Sequence, residues 1–149
     1  MCIRDSYYSA FLASRSGVLY THEQKSVLAD IHSEISNIAT AWNWLVETRD
    51  ISAISACINP LYEYYNIRSR FNEGIQLFQP AARIFEDMVR IGMAQEVEEV
   101  LGMLLSRIGS LAYYARQNAL AHRSLEQAME IFTRRNNLEE LALCRTSLG

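Results

Sequence analysis

A chain of 149 residues, half of them apolar, is long enough for one domain or a few stacked repeats around a core of its own. A formal charge of −3, with Lys25 as the single lysine and no basic tract beyond Arg134-Arg135, leaves no electrostatic footprint for DNA or RNA, so nucleic acid is not an expected partner of this segment. No apolar run approaches the roughly 20 residues of a membrane span or forms a signal-peptide core. The cysteines Cys2, Cys57 and Cys144 lack C-x-x-C spacing, which fits reduced thiols filling small core gaps in a cytoplasmic protein.

The opening "MCIRDS" (Met1 to Ser6) resembles the translation of a transposon adapter end used in sequencing libraries. Residues 1–6 are therefore expected to be non-native, and residues 7–149 to be one helical segment truncated at both ends, since "LEELALCRTSLG" stops in mid-pattern. A first helix is expected over 7–18. Leu28, Ile31, Ile35, Ile38, Trp42 and Leu45 then fall at steps of three or four, so "EQKSVLADIHSEISNIATAWNWLVET" is one long amphipathic helix. Asp50 is a candidate N-cap for a helix over 51–67, and another is expected over 71–91. Pro60 and Pro80 lie inside these two patterns, where each removes a donor and crowds the preceding turn at about 3 kcal/mol, so a kink or break is expected at both. Val97, Leu101, Leu104, Ile108, Leu111 and Ala115 mark a second strongly periodic helix. Asn118 is a candidate N-cap for a helix over 118–135, and Asn137 with Glu140 has capping-box spacing before a last helix over 138–149. The fold class is all-α with about seven helices, and the short loops force sequential helices into antiparallel hairpins.

Small residues occupy positions where this pattern would otherwise place bulk. From Gly109 a step of twelve reaches Ala121, four more reach Leu125 and three more reach Ala128; upstream, "RFNEGIQLFQPA" places Gly74, Phe78 and Ala81 similarly, and Ile108-Gly109 recurs as Leu148-Gly149. These residues resemble the tetratricopeptide signature, in which small side chains let paired helices approach closely. The resemblance implies a right-handed solenoid of stacked hairpins, here with repeats of 40 and 47 residues, longer than the usual 34 or so. The segment from His32 to Ala81, with Glu34, Asn37, Ala41 and Trp44 followed by the small-residue hairpin at Arg70 to Ala81, is similar to the helical region after the ATPase module of bacterial STAND and NB-ARC regulators, including MalT-like and LuxR-type activators. No G-x-x-x-x-G-K-[ST] loop and no helix-turn-helix reader is present, so ATPase or DNA-binding activity would reside in other sequence.

The resemblance implies an interaction or sensor segment of a signalling ATPase or transcriptional regulator that takes a protein, a peptide or a small inducer. The alternative is a free-standing tetratricopeptide adaptor. In such arrays the first helix of each hairpin lines a concave groove, which by position nominates Asn59, Glu63, Asn66, Ser106, Ser110 and Tyr113 as solvent-facing, with Arg70 and Arg107 supplying charge nearby. Of the adjacent tyrosines among Tyr62, Tyr64, Tyr65, Tyr113 and Tyr114, one ring in each pair is expected to point away from the face that buries the other. Truncation would leave Leu138, Leu141 and Leu148 on an incomplete helix pair, favouring self-association.

No enzyme is read in this segment, and no cofactor or metal. His22, His32 and His122 have no zinc spacing. Glu96, Glu98 and Glu99 stand at a helix start, where acids favour the macrodipole. Ser6, Ser106 and Ser110 have no nucleophile-elbow glycines.

Overall fold

The computed structural model describes residues 3–15, 24–93 and 95–148, and side chains over 7–15, 24–93 and 95–147. Every described element is a helix: α1 (Ile3–Arg15), α2 (Gln24–Thr48), α3 (Ile51–Ile67), α4 (Phe71–Arg90), α5 (Gln95–Tyr114), α6 (Asn118–Arg134) and α7 (Leu138–Leu148). The all-α reading and the helix extents hold to within a few residues. α1 begins at Ile3 rather than Tyr7, while residues 16–18 of the expected first helix, Cys2, His22 and Gly149 fall outside the described residues, as does the side chain of Leu148.

The joints are alike. Arg49, Ser69, Gly92, Arg116 and Asn136 each follow a helix end with φ between 54° and 83°, the left-handed region. At four of these joints two backbone bonds close the helix in a Schellman pattern: Arg49 and Asp50 N–H donate to Val46 and Leu45, Gly92 and Met93 to Val89 and Met88, Arg116 and Gln117 to Tyr113 and Ala112, and Asn136 and Asn137 to Thr133 and Phe132. Carbonyls that the helix end would leave unpaired are thereby satisfied. Three of the four left-handed residues closed in this way are not glycine, so the two bonds hold ordinary side chains in a region that costs them about 1 kcal/mol.

Caps at the helix starts are less regular. Asp50 caps α3 as expected, accepting from Ala53 N–H at 3.2 Å. Asn137 accepts from Glu140 N–H at 3.2 Å, but the box is only half made, because the Glu140 carboxylate turns to Arg107 instead. Asn118 is not a cap: it is the first residue inside α6, and Gln117 stands at the cap position with its side-chain amide donated to Asn72 at 2.7 Å. Neither proline breaks its helix. α3 runs through Pro60 and α4 through Pro80, each giving up the one backbone bond that proline cannot donate.

Two compact units divide the chain, Met1–Arg68 and Ser69–Gly149. In the first, each of α1, α2 and α3 packs on the other two, around Leu12, Ile31, Ile38, Trp42, Ile54 and Ile58. Polar links fasten it: Tyr8 donates to the Glu34 carboxylate at 2.8 Å, His32 Nδ1 lies 2.7 Å from the Tyr64 hydroxyl, and Arg15 pairs with Asp30 at 3.7 Å. Tyr64 and Tyr65 are both buried, against the alternation expected of neighbours. The reason is that α3 packs against two helices and so has a wider covered arc than one face provides.

In the second unit α5 is central and contacts α4, α6 and α7, while α6 contacts α7. Directions follow from end-to-end contacts. Asn72 and Phe71, at the start of α4, meet Gln117 and Tyr114 beyond and at the end of α5, so that pair is antiparallel. Arg134 at the end of α6 pairs with Glu98 at the start of α5, another antiparallel pair. Along α7, Asn137, Glu140 and Ser147 meet Glu99, Arg107 and Ser110 in the same order, so α7 lies parallel to α5. No substantial contact joins α4 to α6.

Candidate functional site

Glycine sets how closely α5 and α6 approach. A methyl group at Gly109 would sit 2.5 Å from Leu125 Cγ and 3.3 Å from the Ala121 carbonyl oxygen, both inside van der Waals contact. Gly102, two turns earlier on the same face, would place one 2.9 Å from the Phe132 ring. Ala121, Leu125 and Ala128 are all buried along this seam, and Gly74, Phe78 and Ala81 are buried on α4. Gly102 was not singled out from spacing, although its distance of seven residues from Gly109 is the signal that would find it.

The face of α5 that meets α7 is polar. Arg107, almost fully buried, donates from Nη1 and Nη2 to the two Glu140 oxygens at 2.9 and 3.2 Å, a bidentate pair, and from Nη1 to Ser106 Oγ at 2.8 Å. Ser106 in turn donates to the Met103 carbonyl. Glu140 stands in the first turn of α7, where the helix dipole favours a carboxylate. Ser147 commits its proton to the Leu143 carbonyl, so the 3.1 Å contact between Ser110 and Ser147 is a donation from Ser110. Cys144 lies buried in the same unit, and burial, with the Glu140 charge next in effect, pushes its thiol up to about 11.

This arrangement places the nominated groove residues unevenly. Ser106 and Ser110 are 2 % and 8 % exposed, so they are not solvent-facing: α7 covers the side of α5 from which they project. Arg107 is tied to Glu140 and Arg70 to Glu73, so neither is a free charge. Tyr113 is 53 % exposed and Tyr114 equally so; neither ring of this pair is buried, again unlike the expected alternation. In the first unit Asn59 is exposed on α3, and Glu63 and Asn66 are half-buried. Ser110 and Tyr113 are brought together in a small recess of about 120 Å³ with Tyr114, Thr146 and Ser147, and the two tyrosine rings meet edge-on at 5.5 Å. Of the truncation-exposed leucines, Leu138 is exposed but Leu141 is buried.

Other sequence-nominated groups take structural partners. Glu98 pairs with Arg134 and Arg135, and Glu99 with Arg135 and Asn137, closing the α5 start against the α6 end. His122 faces Glu126 on its own helix. Glu34 and Asn37 are hydrogen-bonded to each other at 3.0 Å; with Tyr8 as a second donor, the Glu34 carboxyl is held below its usual range. Cys57 is buried, and desolvation pushes its thiol up to about 11. Among the described residues no group of three or more His, Cys, Asp or Glu could hold a metal ion, and no helix is long and apolar enough to cross a membrane.

Two further recesses belong to the second unit. One, about 650 Å³, is a shallow depression on α6 alone, lined by Glu126, Met129, Glu130, Thr133 and Arg134. The other, about 240 Å³, is a cleft with α4 and α6 as walls and Leu105 and Ile108 of α5 as its floor. Spacing did not point to this cleft, because it depends on two helices being held apart by a third. No protein-family model, curated protein or solved structure matches the chain.

Proposed function

We propose that the chain is a tetratricopeptide-like helical-repeat interaction segment, of the kind carried by STAND and NB-ARC regulators, and that it binds a protein, a peptide or a small inducer rather than catalysing a reaction. The observation that carries this reading is the asymmetry around α5: the parallel neighbour α7 is packed on it, while α4 and α6 are splayed apart. Close odd-numbered helices and separated even-numbered ones curve an array of hairpins toward the odd side, which is how a solenoid acquires a concave binding face. Tight glycine and alanine contact between α5 and α6 supports the same reading, since the signature requires close approach there. On the nominated helices, Asn59 and Tyr113 remain exposed and Asn66 partly so, and these are the positions at which a partner would be met.

The test is capture of a partner from native lysate with the 149-residue chain as bait, followed by calorimetry on the purified partner. An Asn66→Ala, Tyr113→Ala double variant with an unchanged circular dichroism spectrum is expected to bind at least about tenfold more weakly. Unchanged affinity would reject both positions as points of partner contact. Tight ATP binding by the chain alone would reject the reading as a whole, because a repeat segment without a phosphate loop has nothing to cradle the triphosphate.

A further inference from the structure

The cleft between α4 and α6 is bordered by charge that the protein does not neutralise. Arg83 of α4 and Arg123 of α6 both line it, and neither makes a hydrogen bond or ion pair with a described residue. Acids do stand at helical spacing from each. Glu86, three residues after Arg83, lines the same cleft without forming an ion pair with it; Asp87, four after Arg83, pairs with Arg90 at 3.3 Å, and Glu126, three after Arg123, faces His122 at 3.6 Å. Two guanidinium groups are thus left on opposite walls of a recess of about 240 Å³.

A third group points the same way. Ser124 is 3 % exposed and lines the cleft. Its hydroxyl has no hydrogen bond to a described residue, whereas Ser106, Thr146 and Ser147 all close onto carbonyls of their own helices. No sealed side-chain polar atom among the described residues is without a partner, so the Ser124 hydroxyl opens onto the cleft. The floor, Leu105 and Ile108, is apolar, and Glu86 on the α4 wall adds one acceptor beside the two arginines.

We propose that this cleft binds a small organic carboxylate that carries an N–H beside it and a short apolar side chain, which is the chemistry of an amino acid or of the C-terminal residue of a peptide. Arg83 and Arg123 hold the carboxylate, Ser124 donates to it, Glu86 accepts the N–H, and the apolar group rests on Leu105 and Ile108. The volume lies below the roughly 300 Å³ at which drug-sized pockets begin, so the recess itself takes one residue-sized group. The site uses a different face of α5 from the one that meets α7, and it does not depend on the interaction reading given above.

The probes are N-acetyl-L-leucine, its neutral amide N-acetyl-L-leucinamide, and the acetylated peptide Ala-Ala-Leu with a free C-terminal carboxylate, each titrated into the 149-residue chain and followed by amide chemical shifts. Saturable shifts confined to the cleft, around residues 79–86, 105–108 and 120–127, are expected with the two acids, and none with the amide. Arg83→Gln and Arg123→Gln should each weaken binding about tenfold, with Arg145→Gln on α7 as the charge-matched control that leaves it unchanged. Equal affinity for acid and peptide assigns a free small molecule as the occupant; a peptide bound at least about tenfold tighter assigns a chain end. The proposal is overturned if the amide binds as well as the acid, if neither acid gives saturable shifts, or if both arginine variants, folded by circular dichroism, bind like wild type.

Discussion

The two sides of α5 solve opposite problems with the same helix. Against α7 it is closed: a bidentate ion pair on a buried arginine and a buried thiol lie on the side where the two helices run parallel, with a serine pair at its edge. Toward α4 and α6 it is open: two walls held apart leave a floor of Leu105 and Ile108 beneath unpaired arginines. Burying the arginine on the closed side requires a carboxylate to meet it, because an uncompensated charge there would cost several kcal/mol. On the open side water solvates Arg83 and Arg123, so no partner is demanded. Charge is therefore internal structure on one face and available chemistry on the other.

The largest break in this contrast comes from the seam that sets the spacing of α5 and α6. Gly109→Ala should destabilise the chain by about 3 kcal/mol, since the added methyl meets Leu125 Cγ and the Ala121 carbonyl and neither can retreat freely. Gln127→Leu, on the wall of the open cleft, should change stability by less than about 0.5 kcal/mol. Adding Leu125→Ala to Gly109→Ala should recover at least about 1 kcal/mol relative to the sum of the two single losses. Denaturant melts of the four proteins measure this, and simple additivity would mean that the two residues do not touch.

A smaller effect probes the closed side directly. Glu140→Ala leaves Arg107 without its partner, but α7 can separate and let water reach the guanidinium, so the expected loss is about 2 kcal/mol rather than the full penalty of a buried charge. Separation would show as faster alkylation of Cys144, with Cys57 in the other unit unchanged and serving as the internal reference. Equal acceleration at both thiols would indicate global unfolding and not an opening of this seam.

The smallest effect is a pH dependence. The Cys144 thiol is raised from 9.0 to about 11, so the folded state holds its proton more tightly than the unfolded chain does. Its contribution is fully present below about pH 9 and is lost as pH rises toward 11. The stability difference between wild type and Cys144→Ala should accordingly shrink between pH 8.5 and 10.5, a comparison in which tyrosine and Cys57 titrate alike in both proteins. A constant difference would place the thiol in contact with water.

What could be read from the sequence was what depends on one helix at a time. Steps of three and four placed the helices, and Asp50 was recognisable because an N-cap needs only its own next turn. Asn118 misled for a related reason: asparagine is a good cap, but Gln117 holds that position and turns its side chain to Asn72, 45 residues away. The pairing of Arg107 with Glu140 spans 33 residues and two helices, and nothing in the periodicity of either announces it. Ser106 and Ser110 were expected to face solvent because the resemblance puts the first helix of each hairpin along an open groove. Only the presence of α7 buries them, and the α4/α6 cleft likewise exists only once three helices are in place.

The left-handed joints bear on how the corners of an all-helical chain are encoded. Arg49, Ser69, Gly92, Arg116 and Asn136 recur at intervals of 20, 23, 24 and 20 residues while sharing almost no side-chain identity. Where the closing bonds run from backbone to backbone, the joint imposes little on the letters that encode it. A helical joint of this kind can therefore change in composition while its corner stays in place. The steady landmark of this molecule is a torsion angle, which returns at each of these helix ends while the residue that adopts it changes.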